Sequence, residues 1–446
     1  MPGGDSDAPR LTAVDLFAGV GGMSLGFEQA GFDVIAAIDF DPVHLAVHHY
    51  NFPRAEPLCR DVHELTSDEV VRAAERGWRR SNPTGQSWNG RIDCVTGGPS
   101  CQGFSVIGRR DPLDARNELV FAFARIVREL TPRYFVLENV PGLLGPAYQP
   151  LMGRLIAELE AAGYDVGEGP FVLNSSSYGV PQDRRRVFLV GAFEGEERPG
   201  KSPPQPASIT AHAALNDLID SDSFEELLEA DEVELPAADL RRLEALSSSY
   251  VRRLRGGQSV DGADLSQPRV WNRGRLTASK RTVHTADVVK RFRSLSPGAR
   301  DPIARLSRLK ADKPSPTLRA GTGRDHGSFT SARPIHYEHP RVITVREAAR
   351  LHSFPDWFRF HVTKWHGFRQ VGNAVPPLLA RAVAAQIAIA ATDRSLERRT
   401  DPLELGDPSL LSLSPAHAAE VFGIDPSSLP PDVRRRHPVD TGPVMP

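Results

Sequence analysis

The sequence predicts an α/β protein: a mostly parallel sheet with helices on both faces, followed by a smaller, irregular domain. Three observations carry that prediction. Up to about residue 192, short apolar runs alternate with longer amphipathic ones. A glycine-rich turn closes the first apolar run. Regular patterning then fades beyond residue 196 and returns only after about residue 340.

Ala13–Phe17, Val34–Ile38, Cys94–Thr96, Phe135–Leu137 and Val187–Val190 read as buried strands, each a short apolar run of strand length. Met23–Ala30, Pro42–His49, Leu119–Leu130 and Leu151–Ala162 lie between them and carry apolar residues at helical spacing. Glu196–Pro206 is rich in Pro, Gly and Glu and marks a boundary. Thr344–Ser353 and Pro377–Ala391 resume the helical period, and Ala416–Phe422 is a short helix candidate in an otherwise loosely packed tail. The resulting division is 1–10, a disordered N-terminus; 11–192, the main domain; 193–340, the smaller domain; 341–393, a return to the main domain; and 394–446, the tail.

With 446 residues, 40% of them apolar and 25% charged, the chain has the composition of an ordinary globular protein. Disordered, collagen-like and disulfide-scaffold classes are excluded. Cys59, Cys94 and Cys101 are the only cysteines, which points to a reducing compartment, and without a CxxC pair no structural metal is expected. The first ten residues are polar and no 18-residue uncharged apolar run occurs, so the expectation is a cytoplasmic protein that is neither exported nor membrane-inserted. The formal net charge is only −2, but it is unevenly spread. Asp217–Glu244 carries eleven acidic residues, and Arg252–Arg319 carries seventeen Lys/Arg against five Asp. The second stretch predicts a surface for phosphates.

Two loops carry chemistry. Asp15-Leu16-Phe17-Ala18-Gly19-Val20-Gly21-Gly22 ends the first strand, where glycines admit a ligand to the backbone and the next helix N-terminus favours an anion. The second strand ends in Asp39-Phe40: the acid suits ribose hydroxyls and the ring suits an adenine. This combination indicates an adenosine-containing cofactor, either a nicotinamide dinucleotide or S-adenosylmethionine. The third glycine of the dinucleotide pattern is absent, with Gly26 too late in the chain. The other loop, Gly97-Gly98-Pro99-Ser100-Cys101-Gln102-Gly103, follows a strand and is made of turn formers. Cys94, inside its strand, reads as a small buried hydrophobe, whereas Cys101 reads as a nucleophile that needs positive charge or a helix end nearby.

The chain resembles the DNA (cytosine-5) methyltransferases, with that family's motifs in that family's order. The residues concerned are Asp15–Gly22, Asp39-Phe40, Asp61-Val62, Pro99-Ser100-Cys101-Gln102, Asp114–Leu119, Glu138-Asn139-Val140, Gln182-Asp183-Arg184-Arg185-Arg186, Arg346–Leu351 with Phe354-Pro355, and Gln370–Pro377. Ser100 stands where proline is common in the family, and Asp39 where glutamate is common. The resemblance implies a Rossmann-like fold, S-adenosyl-L-methionine as cofactor and double-stranded DNA as partner. A monomer on DNA is expected, with a cognate restriction endonuclease as genetic partner.

The resemblance also implies residue roles. Cys101 is the nucleophile that attacks cytosine C6, Glu138 the proton donor at N3, and Arg184 the group holding O2. Arg186, Asn139 and Gln102 support the site. Asp15, Phe17, Gly19, Val20, Gly21, Gly22, Asp39, Phe40, Asp61, Val62, Pro99, Leu119, Asn373, Ala374 and Val375 are expected around the cofactor. Ile107 is expected to fill the vacated stack; Arg109, Arg110, Arg291, Arg293 and Arg319 are expected on DNA. Residues 193–340 are the expected target-recognition region. Competing readings are an RNA cytosine-5 methyltransferase, a silent DNA-binding relative and a nicotinamide dehydrogenase. The long basic middle argues against the first, retention of Cys101, Glu138 and Arg184 against the second, and the missing glycine against the third.

Overall fold

The computed structural model describes residues 10–82, 87–99, 118–205, 208–256, 264–321, 333–391 and 396–428. Strands β1 (Leu11–Leu16), β2 (Phe32–Asp39), β3 (Glu56–Cys59), β4 (Cys94–Gly97) and β5 (Tyr134–Asn139) form the parallel part of one sheet. Helices α1 (Gly22–Gln29), α2 (Pro42–Asn51), α3 (Ser67–Ser81), α4 (Leu119–Leu130) and α5 (Gln149–Glu160) alternate with or follow them. Strands β6 (Tyr164–Asp165), β7 (Phe171–Asn174) and β9 (Arg185–Phe193) complete the sheet antiparallel, and β8 (Gln182–Asp183) lies outside it. The order is β3-β2-β1-β4-β5-β9-β6, with β7 also on β9. The fold is therefore α/β, as the alternation of apolar runs predicts. Its central strands β1, β4 and β5 are buried along their whole length, which is why they read as continuous apolar runs rather than alternating ones.

That strand order places the function. The chain winds from β1 outward through β2 and β3, then returns to the other side of β1 with β4 and β5. The crevice beyond the carboxyl ends of β1 and β4 is the topological switch point, where open α/β sheets bind ligands.

Two elements that periodicity overlooks are β3 and α3. The helix had a local signal: Thr66 and Glu69 form a capping box, the Thr66 hydroxyl accepting from Glu69 N and the Glu69 carboxylate accepting from Thr66 N. The middle of the chain is less irregular than expected. It holds α6 (Ala211–Leu215), β10 (Val233–Glu234), α7 (Ala237–Leu246), α8 (Ser249–Leu254), β11 (Arg275–Leu276), α9 (Ala286–Ser294) and β12 (Ser315–Pro316). Two small apolar clusters sit there, one on Leu218, Leu227, Leu243 and Leu276, the other on Phe292, Ile335 and Val342. Tyr250, Leu254, Leu309 and Leu318 join the same large core as Leu11 and Ala13 of β1.

After the middle region come α10 (Val345–Leu351), α11 (Lys364–Asn373) and α12 (Pro377–Ala390). The stretch Lys364–Ala390 is long and apolar enough to cross a membrane, yet 61% of its apolar window is buried inside the protein. Its destination is α1: a methyl group at Gly26 would lie 2.4 Å from the Ala380 side chain and 2.6 Å from Pro377 O. Only glycine allows that close crossing. The tail carries its expected short helix. Residues 396–428 are laid along the main domain, with Leu411 buried and α13 (Pro415–Val421) against α2.

Candidate active site

The loop after β1 is built by strain and by one carboxylate. Phe17 takes a left-handed φ of 62°, rare for a residue with a side chain, and Gly19 and Gly21 follow at 56° and 99°. Ala18 N–H donates to Ile38 O and Gly21 N–H to Ala18 O, closing the turn onto β2. Asp39, at the end of β2, accepts from Gly19 N at 2.8 Å and from Asp41 N at 2.8 Å. A carboxylate has about four lone-pair positions, so two remain for a ligand's hydroxyls. Beside it Phe40 is 46% exposed, an aromatic face with solvent on it. Asp61 is exposed, Val62 is buried and Leu119 is half-buried. Val20 is buried.

Asp15 was expected at the cofactor; it is instead buried beneath the loop. It accepts a 2.5 Å hydrogen bond from the Ser24 hydroxyl, which in turn meets His48 Nε2 at 3.0 Å. Burial pushes Asp15 up to about 7 and His48 down to about 3, so at neutral pH His48 is uncharged while Asp15 is divided between its acid and ionised forms. Asp15 thus anchors Ser24 of α1 to β1 under the loop, and Ser24 in turn joins α1 to α2.

The return segment closes the same pocket. A methyl at Gly22 would lie 2.3 Å from Val375 O and 3.0 Å from the Ala374 side chain. Asn373 is exposed and Val375 is buried. Gly22→Ala is therefore expected to cost about 1–3 kcal/mol by overpacking. A denaturant midpoint unchanged from the parent would show that these two segments are not in contact.

The loop after β4 meets the end of β5. Asn139, buried, donates from Nδ2 to Pro99 O at 3.2 Å and accepts from Val140 N at 2.8 Å, tethering the chain just before residue 100. Gly98 has no room for a side chain, because a methyl there would lie 2.7 Å from Glu138 Oε2. Glu138 is 8% exposed and its Oε1 lies 2.8 Å from Arg186 Nε. Its burial raises the carboxyl pKa more than the neighbouring Arg186 and Arg184 lower it. Cys101, Gln102, Ile107, Arg109 and Arg110 lie outside the described residues. Of the other thiols, Cys94 is fully buried and raised well above its usual range, as its strand position implies.

Two arginines make contacts within the protein that their expected roles did not include. Arg184, expected on cytosine O2, is 2% exposed and donates to the main-chain oxygens of Leu318 (2.7 Å), Gly372 (2.8 Å) and Ala374 (3.0 Å). It is a strut between the sheet and the returning chain. Gln182 works beside it, accepting from Leu318 N and meeting His352 Nδ1 at 2.9 Å, while His352 Nε2 donates to Ala374 O. Arg291, expected on DNA, is paired with buried Asp301 at 2.5 Å. Arg255, Arg269, Arg275 and Arg281 of the basic stretch are likewise paired with acids. Arg293 and Arg319 are exposed, as are Lys290, Arg300, Arg305 and Lys310.

A buried acid, an arginine beside it and a glycine turn thus meet at the carboxyl ends of the central strands. The sequence model of C-5 cytosine-specific DNA methylases matches residues 11–388. The chain belongs to the C-5 cytosine-specific DNA methylase family. The Type II methyltransferase M.XorII of Xanthomonas oryzae pv. oryzae is 46% identical over 97% of this chain and 96% of its own length. M1.HphI of Haemophilus parahaemolyticus is 33% identical over 84% and 86%. A crystal structure described as a DNA modification methyltransferase encoded within a prophage of E. coli matches with a TM-score of 0.67 at 32% identity, covering 86% of this chain and 99% of that one. The protein is a DNA cytosine methyltransferase of the restriction-modification type, and its reaction uses a methyl donor.

Proposed function

We propose that this methyltransferase moves the methyl group of S-adenosylmethionine to C5 of a cytosine extruded from a specific duplex DNA sequence. The single observation that carries the reading is Glu138, a buried carboxyl raised in pKa, lying against Gly98 and beside Arg186 at the switch point. The residues present fit the cofactor. Phe40 offers an uncovered ring, Asp39 has acceptor capacity left, and a methyl at Gly19 would meet nothing within 4 Å. Bound there, S-adenosylmethionine supplies an electrophilic methyl on a sulfonium.

Carbon 5 of cytosine is a weak nucleophile, so the ring must first be made electron-rich. The Cys101 thiolate adds to C6, and the displaced electron pair moves toward N3 and O2. Glu138, in its acid form, donates a proton or a strong hydrogen bond at N3 as that charge develops. Arg186 takes the O2 side, since the guanidinium of Arg184 is committed to three carbonyls. C5 of the resulting enamine accepts the methyl; a base or water then removes the C5 proton, the C5–C6 double bond re-forms and Cys101 leaves. Asn139 holds the loop through Pro99, and Gln102 sits beside the nucleophile in sequence.

A base inside a duplex cannot reach a buried acid, so the cytosine is flipped out, which costs a few kcal/mol. By the family resemblance Ile107 fills the stack that the cytosine vacates, and Arg109 and Arg110 contact phosphate. Residues 193–340 read the sequence; Arg293, Arg319 and the exposed cations near them fix register on phosphates. Residues 11–192 and 341–393 form the catalytic domain. The protein works as a monomer on DNA in the cytoplasm, with a restriction endonuclease as its genetic partner. Bisulfite sequencing of DNA from cells expressing the chain is expected to show cytosines protected in one fixed context. Unprotected DNA alongside protected RNA would overturn the reading in favour of an RNA substrate.

A further inference from the structure

We infer that the C-terminal segment 403–424 is a strap that positions the methyl-donor loop, with Phe422 and Ile424 as its positioning residues. This rests on the cofactor reading above. The segment lies beyond residue 388, where the match to the family ends.

Its path is fixed by main-chain bonds. Leu403 N–H donates to Pro268 O and Val270 N–H to Leu403 O; Gly406 N–H donates to Tyr50 O at the end of α2; Val362 N–H donates to Leu411 O. Gly406 is pressed so close that a methyl would lie 2.9 Å from Tyr50 Cα. His361 Nε2 meets Leu413 O at 3.2 Å. The strap then forms α13 on α2 and delivers Phe422 and Ile424 onto a cluster made of Ala18, Ala37, Leu45 and Cys59.

Three of its four members are attached to the donor site. Ala18 is the pivot of the loop, bonded on one side to β2 and on the other to Gly21. Cys59 places its Sγ 3.7 Å from the main-chain oxygen of Phe40. Leu45 belongs to α2, whose N-cap is Asp41 and whose His48 and Phe52 rings lie where a side chain at Gly21 would go. The two apolar side chains therefore back the glycine turn and the Asp39-Phe40 corner at once. Close-packed interiors transmit such support, because a void removes contacts outright. A loop with a strained Phe17 needs that backing to hold this conformation.

The test compares the full-length parent with Phe422→Ala/Ile424→Ala, Phe422→Leu and Val421→Ala, using S-adenosylmethionine itself as the probe. The double variant is expected to raise Kd and KM for S-adenosylmethionine by about fivefold or more, with kcat and DNA affinity unchanged. Phe422→Leu, which refills the space, is expected to restore binding. Val421, 54% exposed on the far side of the turn, is expected to tolerate alanine without effect. If the parent binds and the double variant binds equally well, the strap is overturned while the cofactor reading stands. If the double variant loses DNA and cofactor affinity together, the segment merely holds the fold, and the positioning role is overturned. A parent that does not bind the probe overturns both readings.

Discussion

The Cys101→Ser variant is expected to lose methyl transfer by on the order of 10⁴-fold or more while still binding S-adenosylmethionine. A serine hydroxyl is a far weaker nucleophile than a thiolate toward C6, and it leaves the loop after β1 and the Asp39-Phe40 corner untouched. Duplex DNA carrying 5-fluorocytosine at the target extends the test. After methyl transfer the C5 fluorine cannot leave as a proton does, so elimination stops and Cys101 stays bonded to C6. The parent enzyme is expected to give a stable protein–DNA adduct by denaturing electrophoresis, and the serine variant none. Parent-level turnover by the variant, or an active parent that forms no adduct, would remove C6 attack from the mechanism.

The second large effect separates two arginines that lie two positions apart. Arg184→Met takes this donor from the carbonyls of Leu318 and Gly372 inside the protein and leaves Ala374 O with His352 Nε2 alone. Its expected cost is about 3–5 kcal/mol of stability, read from chemical denaturation. Arg186→Met, at a side chain 12% exposed, is expected to leave the fold standing and lower kcat by about 10²–10³-fold through loss of charge at O2. It also has a pH signature. Arg186 pulls the Glu138 pKa down against the burial that raises it, so removing Arg186 lifts that pKa further. Catalysis needs the acid form of Glu138 and falls as pH rises through its pKa. In Arg186→Met this fall is therefore expected at higher pH than in the parent. Were Arg184→Met stable but inactive, and Arg186→Met unfolded, the two roles assigned here would have to be exchanged.

Much of the site is legible without coordinates because its signals are local. The glycine turn and the acid after the second strand are short-range patterns, and the backbone conformations they need explain the residue types. Gly98 is similar in kind, a glycine beside the loop cysteine, although its purpose is visible only against Glu138 Oε2. The α3 capping box was readable and lay in Thr66–Glu69. The role of Arg184 was not readable. Its partners lie 134, 188 and 190 residues away, so nothing in its own neighbourhood distinguishes it from Arg186. The basic stretch misleads for a related reason: Arg281 and Arg275 answer to Asp222 and Glu232 in the preceding acidic stretch, and a linear charge count cannot tell a paired charge from a free one.

From the chain alone came the α/β class, since apolar periodicity and turn chemistry act over a few residues, and the family, through the order of its motifs. Tertiary structure alone decided which carbonyls Arg184 joins, that Asp15 is buried against Ser24 under the loop, and where the tail meets α2. Those outcomes depend on who is buried beside whom. Burial sets both the worth of a hydrogen bond and the charge a side chain keeps, and it is a property of distant segments brought together.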